Sequence, residues 1–365
     1  MKSFFLLIMG LFSLVARASD PTPLEIGATA PPFSLPATDG KTYSLESFAQ
    51  YKILAIIFTC NHCPTAQAYE DRIKQLVQDY TSKGVGIIAI SPNDPQAVRL
   101  DELGYTDLSD TFEEMKIRAK DKQYNFPYLY DGETSSVSMK YGPQATPHVF
   151  IFDTKRTLRY TGRIDDGEKP GTAKTHDTRN ALDALLAGKP VTTEKTKTFG
   201  CSIKWPCKRD YANKAFEEWA KEKVSIDDLE MASLKQLLKN EGVNYKLINV
   251  WATWCGPCVT EFPEFVNMNR MYRNREFELV TISLDDVNRK PNALNFLTKK
   301  QASTKNYIFK GDKYAFMEAL DKKWEGSLPY TLFIAPGGKI IYGKQGLIDP
   351  HELKKIIVEN IGRIY

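Results

Sequence analysis

The sequence predicts an α/β protein of two similar units in tandem, each a central mixed β-sheet flanked by helices. Three observations carry this. The apolar run Leu247, Ile248, Val250, Trp251 ends in Cys255-Gly256-Pro257-Cys258, and a pattern with Phe262, Phe265 and Val266 on one side begins at once. That reads as a buried strand entering a helix, with two cysteines at the join. A second such junction lies upstream, where the apolar run 54–58 leads into Cys60-Asn61-His62-Cys63-Pro64 and a helical pattern continues through Tyr69, Ile73, Leu76 and Val77. The two Cys-x-x-Cys sites stand 195 residues apart, from 60 to 255, in a chain of 365 residues, enough for two units.

In chain order, Met1-Lys2 is a basic start, residues 4–15 are almost wholly apolar, and Ala16-Arg17-Ala18 offers small residues for a cleavage site. Residues 1–18 therefore read as a secretory signal, since the apolar segment is shorter than the ~20 residues a spanning helix needs. The expectation is an exported protein, periplasmic or secreted, with no integral membrane domain after cleavage. The net charge of +4 is spread among interspersed acids and bases, so no nucleic-acid surface is expected. Six cysteines are too few to staple a chain of this size, and they fall into three close pairs.

The first unit is expected over 22–190. Residues 31–35 and 43–45 flank an Asp39-Gly40 turn as a hairpin. Strand 53–58, the helix after Cys63 and strand 85–90 form a β-α-β element, which calls for parallel pairing and a right-handed crossover. An irregular helical stretch follows at 109–122. Thr146-Pro147 then opens a strongly β run, 158–162 is its hairpin partner, and a helix at 178–186 closes the unit. A proline just before a strand removes no internal ladder bond.

Residues 191–210 read as a polar surface linker that carries Cys201 and Cys207. Six residues apart, these two are a candidate structural disulfide in an oxidising compartment. A third exchange pair, or half of a zinc site with Cys60 and Cys63, are the other readings. No cluster of histidines accompanies the thiols, so no metal is assigned.

The second unit, 211–365, repeats the order. Helical patterns at 211–223 and 231–241 precede strand 245–251 and the Cys255 junction, and strand 277–284 and a helix near 291–299 follow. Leu328-Pro329 opens another β run, turned by Pro336-Gly337-Gly338-Lys339 into 340–343, before a last helix at 351–361. At the junction itself, a thiol at a helix N-terminus meets unpaired N–H groups and the positive end of the dipole, which favour the Cys255 thiolate. Cys258, one turn in, is placed to close a disulfide.

Trp254-Cys255-Gly256-Pro257-Cys258 resembles the active site of the thioredoxin superfamily, and Leu328-Pro329 has the setting of that family's cis proline. The context Asn249, Trp251, Ala252, Thr253 with Glu261-Phe262-Pro263 is similar to the exported TlpA/ResA-like thiol-disulfide oxidoreductases. The first unit resembles the redoxin branch through Pro32-Phe33, Asp39-Gly40, the Cys60–Cys63 motif with Thr59 and Pro64, and Asn93-Asp94. The resemblance implies two thioredoxin-like domains in which Cys60 and Cys255 attack partner disulfides and Cys63 and Cys258 resolve the mixed ones.

It also implies that Thr146-Pro147 and Leu328-Pro329 form the substrate edge and that Glu261 manages the proton of Cys258. His62, Trp254, Gly256 and Pro257 modulate the two sites. Asn249 stands where cytosolic thioredoxins hold a buried Asp, and the alignment of the two motifs sets Ala66 against Glu261, so the first site lacks an acid there. The implied partners are protein disulfides and a membrane-linked thiol electron donor, with no cofactor beyond the thiols. The expected function is dithiol–disulfide exchange, as a reductase relaying electrons between the two sites. An oxidase or isomerase, a thiol peroxidase and a non-catalytic assembly factor are the alternatives.

Overall fold

The computed structural model describes residues 20–363, so the signal expected at 1–18 lies outside the described residues. In chain order, β1 (Ser34–Pro36) and β2 (Thr42–Ser44) form a hairpin over the first sheet. There follow β3 (Ile53–Phe58), α1 (Pro64–Tyr80), β4 (Val85–Ser91), α2 (Phe112–Asp121), β5 (Tyr128–Tyr130), α3 (Ser138–Tyr141), β6 (His148–Phe152), β7 (Leu158–Gly162) and α4 (Asp177–Leu186). The first sheet runs β5-β4-β3-β6-β7, parallel from β5 to β3 and antiparallel beyond. Every residue of β3 and β4 is buried, as a central strand with both faces covered requires.

The second unit holds α5 (Arg209–Trp219), β8 (Asp227–Leu229), α6 (Met231–Lys239), β9 (Tyr245–Trp251), α7 (Gly256–Tyr272) and β10 (Phe277–Ser283). It continues with α8 (Lys290–Lys299), β11 (Lys305–Phe309), α9 (Lys313–Leu320), β12 (Tyr330–Ile334), β13 (Ile340–Gln345) and α10 (Pro350–Ile361). Its sheet runs β13-β12-β9-β10-β11-β8. Strand β11 and the Asp-Asp-Leu strand β8 are not expected from the sequence. The pair is held by a short ladder, Tyr307–Phe309 against Asp227–Leu229, whose two aspartates stay exposed at the sheet edge.

Through their β-α-β cores the two units correspond with a constant shift of 192 residues. The bounds of α1, 64 and 80, become 256 and 272 in α7, and those of β4, 85 and 91, become 277 and 283 in β10. The antiparallel ladders agree: Phe58 opposes the residue after Pro147, and Val250 the residue after Pro329. The spacing of 195 between the cysteine motifs is thus three residues out of step with the fold.

The units are welded together. Val98 and Leu103 of the first lie in one apolar cluster with Phe265, Met268, Met271 and Tyr272 of α7. Tyr272 donates to the Thr106 carbonyl (2.9 Å), Arg275 to that of Gly104 (2.7 Å), and Arg363 pairs with buried Asp107 at 2.6 Å. Half-exposed Lys355 and Asp121 add a rim pair at 3.0 Å. Pairs of that kind contribute at most about 1 kcal/mol. Lys355→Ala should accordingly shift the urea-unfolding free energy by less than about 1 kcal/mol, and a larger loss would mean that the rim pair holds the interface.

Candidate active site

In the second unit, β9 delivers the chain to the first turn of α7. Cys255 is the helix N-cap, and its Sγ accepts the Cys258 N–H at 3.3 Å. The two cysteines form a disulfide with Cα atoms 5.3 Å apart. Trp254 is 63% exposed, and Gly256 and Pro257 are exposed beside it, so both sulfurs sit just beneath an accessible rim. Asp285 fixes the approach by accepting from Thr253 N–H (2.9 Å) and Thr253 Oγ1 (2.6 Å). Behind the site, Trp251, Phe262 and Phe296 pack ring against ring.

Glu261 is one turn further into α7 and only 6% exposed. Its Oε2 accepts the Ile348 N–H at 3.0 Å, while Oε1 has no hydrogen-bond partner among the described residues. Burial pushes its carboxyl up to about 7, against smaller opposing effects of the Ile348 N–H and the Asn249 side chain. A carboxyl in that range exchanges protons near neutrality. Ile348, from the loop before α10, carries no signal in the sequence. The Leu328-Pro329 peptide is cis, as is Thr146-Pro147.

In the first unit the shift of 192 puts Cys63, not Cys60, at the position of Cys255. Cys63 is the N-cap of α1 and accepts the Ala66 N–H at 3.4 Å. Ala66 therefore matches Cys258, His62 matches Trp254, and Tyr69 rather than Ala66 matches Glu261. Cys60 lies on the approach loop, its Sγ 3.2 Å from Thr146 Oγ1. The two thiols are driven apart. Burial first, then the hydrogen bond with Cys63 and the nearby Asp110 charge, push Cys60 well above the usual thiol range. Burial would also raise Cys63, but hydrogen bonds from Cys201 and Cys60, the His62 charge and the Ala66 N–H outweigh it and hold Cys63 well below. The helix N-terminus thus faces Cys63 rather than Cys60, the thiol expected from the sequence to attack.

His62 is buried, and its Nδ1 meets Asp110 Oδ2 at 2.6 Å. Burial alone would lower its pKa, and the Asp110 carboxylate more than reverses that, leaving it raised. Asp110 also accepts the N–H groups of Asn61 (2.8 Å) and His62 (3.1 Å) and the Asn93 amide (2.7 Å). Nothing local in the sequence hints at this role, since Asp110 lies just before a helix and reads as an ordinary cap. Cys60 Sγ, a His62 ring nitrogen and an Asp110 oxygen fall within 4.8 Å of one another. That is the convergence a cation would need, but both Asp110 oxygens and His62 Nδ1 are already engaged in the bonds above, and we assign no metal.

Cys201 and Cys207 are not paired. Cys207 is exposed on the single turn before α5, whereas half-buried Cys201 packs against the Cys60, Cys63, Ala66 cluster. What draws it there is backbone pairing, an isolated antiparallel bridge in which the Thr146 N–H donates to the Cys201 carbonyl at 3.0 Å. The segment expected as surface linker thus covers the first dithiol, leaving Cys60 3% and Cys63 0% exposed.

Comparison with known proteins matches residues 26–161 to the AhpC/TSA family and residues 221–357 to the Redoxin family. Among curated proteins, the thiol-disulfide oxidoreductase ResA of Bacillus subtilis (strain 168) is 30% identical over 104 residues, 28% of this chain and 52% of that protein. ResA of Oceanobacillus iheyensis is 31% identical over 111 residues, 30% of this chain and 53% of that protein. The chain therefore spans about half the length of these relatives. Among solved structures, a hypothetical protein of Sinorhizobium meliloti 1021 is 34% identical, covering 50% of this chain and 96% of its own, with a TM-score of 0.45. An uncharacterized conserved protein of Geobacillus kaustophilus is 39% identical, covering 50% and 92%, with a TM-score of 0.44.

Proposed function

We propose, for a chain that belongs to the thioredoxin superfamily and carries two redoxin-type units in tandem, that it is an exported thiol-disulfide oxidoreductase that reduces protein disulfides. The observation that carries this is the Cys255–Cys258 disulfide at an accessible helix N-terminus with a buried carboxyl, pushed up to about 7 by burial, one turn behind it. In the reduced enzyme, the Cys255 thiolate attacks one sulfur of a client disulfide. A Cys255–client disulfide forms, and the other client sulfur leaves as a thiolate and takes up a proton. Glu261 accepts the proton of Cys258, whose thiolate attacks Cys255 Sγ, closing Cys255–Cys258 and releasing the client as a dithiol. Two electrons pass to the client, and a thiol donor linked to the membrane restores the dithiol.

The first unit is the second redox centre: the Cys255–Cys258 dithiol also passes electrons to the Cys60–Cys63 site, and from there they go on to a client. His62 and the α1 N-terminus favour the Cys63 thiolate, which stabilises the reduced form and raises the potential of that couple. The basic start and apolar run of residues 1–18 support export. Among the described residues no helix is long and apolar enough to cross a membrane.

The test uses the full chain with the cysteines of one unit at a time replaced by serine, equilibrated with glutathione buffers. The first-unit couple should lie at least about 30 mV above the second, a tenfold bias in transfer for a two-electron couple. Equal potentials, or the reverse order, would reject the relay and leave a reductase whose first unit acts independently. Catalytic reduction of a model disulfide protein by the same chain distinguishes all of these from an assembly factor, which would bind stoichiometrically without turnover.

A further inference from the structure

A relay through the first unit meets an obstacle, because both its motif thiols are out of a partner's reach. The covering segment, 199–205, is built in rather than draped. Ile203 and Trp205 are buried, the Lys204 N–H donates to Asn93 Oδ1 (2.9 Å), and the Lys204 carbonyl accepts the Asp94 N–H (2.8 Å). Lys204 Nζ pairs with Glu102 at 2.6 Å, and the Phe199 ring lies 6.2 Å from that of Tyr69. Gly200 makes the approach possible: at φ +136° it passes so close to Thr146 that a Cβ would fall 2.1 Å from the Thr146 carbonyl oxygen. At the corresponding place in the second unit, Leu328 makes no such bridge among the described residues.

We infer that segment 199–205 fills in the first unit the place an extended substrate takes in the second, and that Cys201 is a third redox thiol through which partners reach the buried site. The disulfide they meet is Cys63–Cys201. Three placements support it: Cys201 packs on Cys63, it is the one member of the cluster with appreciable exposure, and the helix position one turn beyond Cys63 is Ala66 rather than a resolving cysteine. The inference rests on the reading of the first unit as a redox centre.

In the exchange, a partner dithiol's thiolate attacks Cys201 Sγ, and the Cys63–Cys201 bond breaks. Cys63 leaves, as the thiol best able to carry the charge at a helix N-terminus. The partner's second thiol attacks its own sulfur in the mixed disulfide, forming the partner disulfide and freeing Cys201. Two electrons and two protons pass from the partner dithiol to Cys63 and Cys201.

The full chain, oxidised with graded glutathione disulfide, blocked with N-ethylmaleimide and digested without reductant, tests this by mass spectrometry. The expected product is a Cys63–Cys201 cross-link with Cys60 alkylated. Gly200→Ala, which forces the segment off Thr146 without altering a thiol, should reduce that cross-link at least tenfold and speed Cys63 alkylation at least tenfold. Turnover at Cys255–Cys258 should not change. A Cys60–Cys63 cross-link in the unsubstituted chain, with or without Cys201–Cys207, overturns the inference and leaves the relay standing. The absence of any disulfide among the three thiols at every ratio overturns both.

Discussion

Cys255→Ser should abolish reduction of a model disulfide protein, lowering turnover by at least about 10³-fold, because a hydroxyl at a helix N-terminus stays protonated and does not attack sulfur. The fold should be unaffected, since the side chain is small and its neighbours, Cys258 included, remain packed. Cys258→Ser makes the contrast informative: Cys255 still attacks, but nothing resolves the product, and a mixed disulfide with the client should accumulate on non-reducing gels. Alkylation of the reduced protein across pH should modify Cys255 before Cys258, which is 1% exposed. Residual turnover above one-tenth in Cys255→Ser, or trapping by that variant instead of Cys258→Ser, would transfer the attacking role to another thiol.

Glu261→Gln should be more stable than the parent at pH 8.5 and equal to it near pH 4. The folded carboxyl titrates near 7, raised from an ordinary 4.5. A raised folded pKa means that stability is complete below the unfolded pKa and falls as pH rises from there through the folded pKa, because the unfolded chain ionises first. A tenfold difference in proton affinity between the folded and unfolded chain corresponds to about 1.4 kcal/mol, and with solvent screening allowed for, the loss above pH 7 is about 2–3 kcal/mol, which glutamine avoids. The amide also has an acceptor to hand, as Asn249 Oδ1 lies buried without a partner among the described residues. The same substitution should slow resolution of mixed disulfides by about 10²-fold at pH 7 and remove the inflection of the rate near that pH, as expected when a general base is lost. Urea unfolding at the two pH values and stopped-flow resolution measure the two effects separately. A stability gain with an unchanged pH–rate profile would leave Glu261 no part in the chemistry.

Much of the architecture is legible because it is written in side chains. Fully apolar runs such as Ile53–Phe58 and the cysteine-bearing junctions mark central strands entering helices, and a proline before a β run marks a strand start. What escapes is held by backbone or by context. Strand β8 is Asp-Asp-Leu and owes its existence to three residues of β11. The covering segment pairs through main-chain groups and a glycine, so its composition reads as linker. Asp110 gains its role only when the fold brings it beneath His62, 48 residues earlier in the chain. Matching Cys60 to Cys255 follows the motif, which is the same length in both units, whereas the helix begins after the second cysteine in one and the first in the other, a difference marked locally by Pro64 after the first pair and Pro257 within the second.

That displacement sets the second cysteines on opposite sides of one shared position: Cys60 precedes Cys63 by three residues and Cys258 follows Cys255 by three. An alignment that forces motif onto motif would slip β3 by an odd number of residues and exchange the side chains of its two buried faces. The halves thus have one thiol position in common, and their second cysteines stand on opposite sides of it rather than in equivalent places.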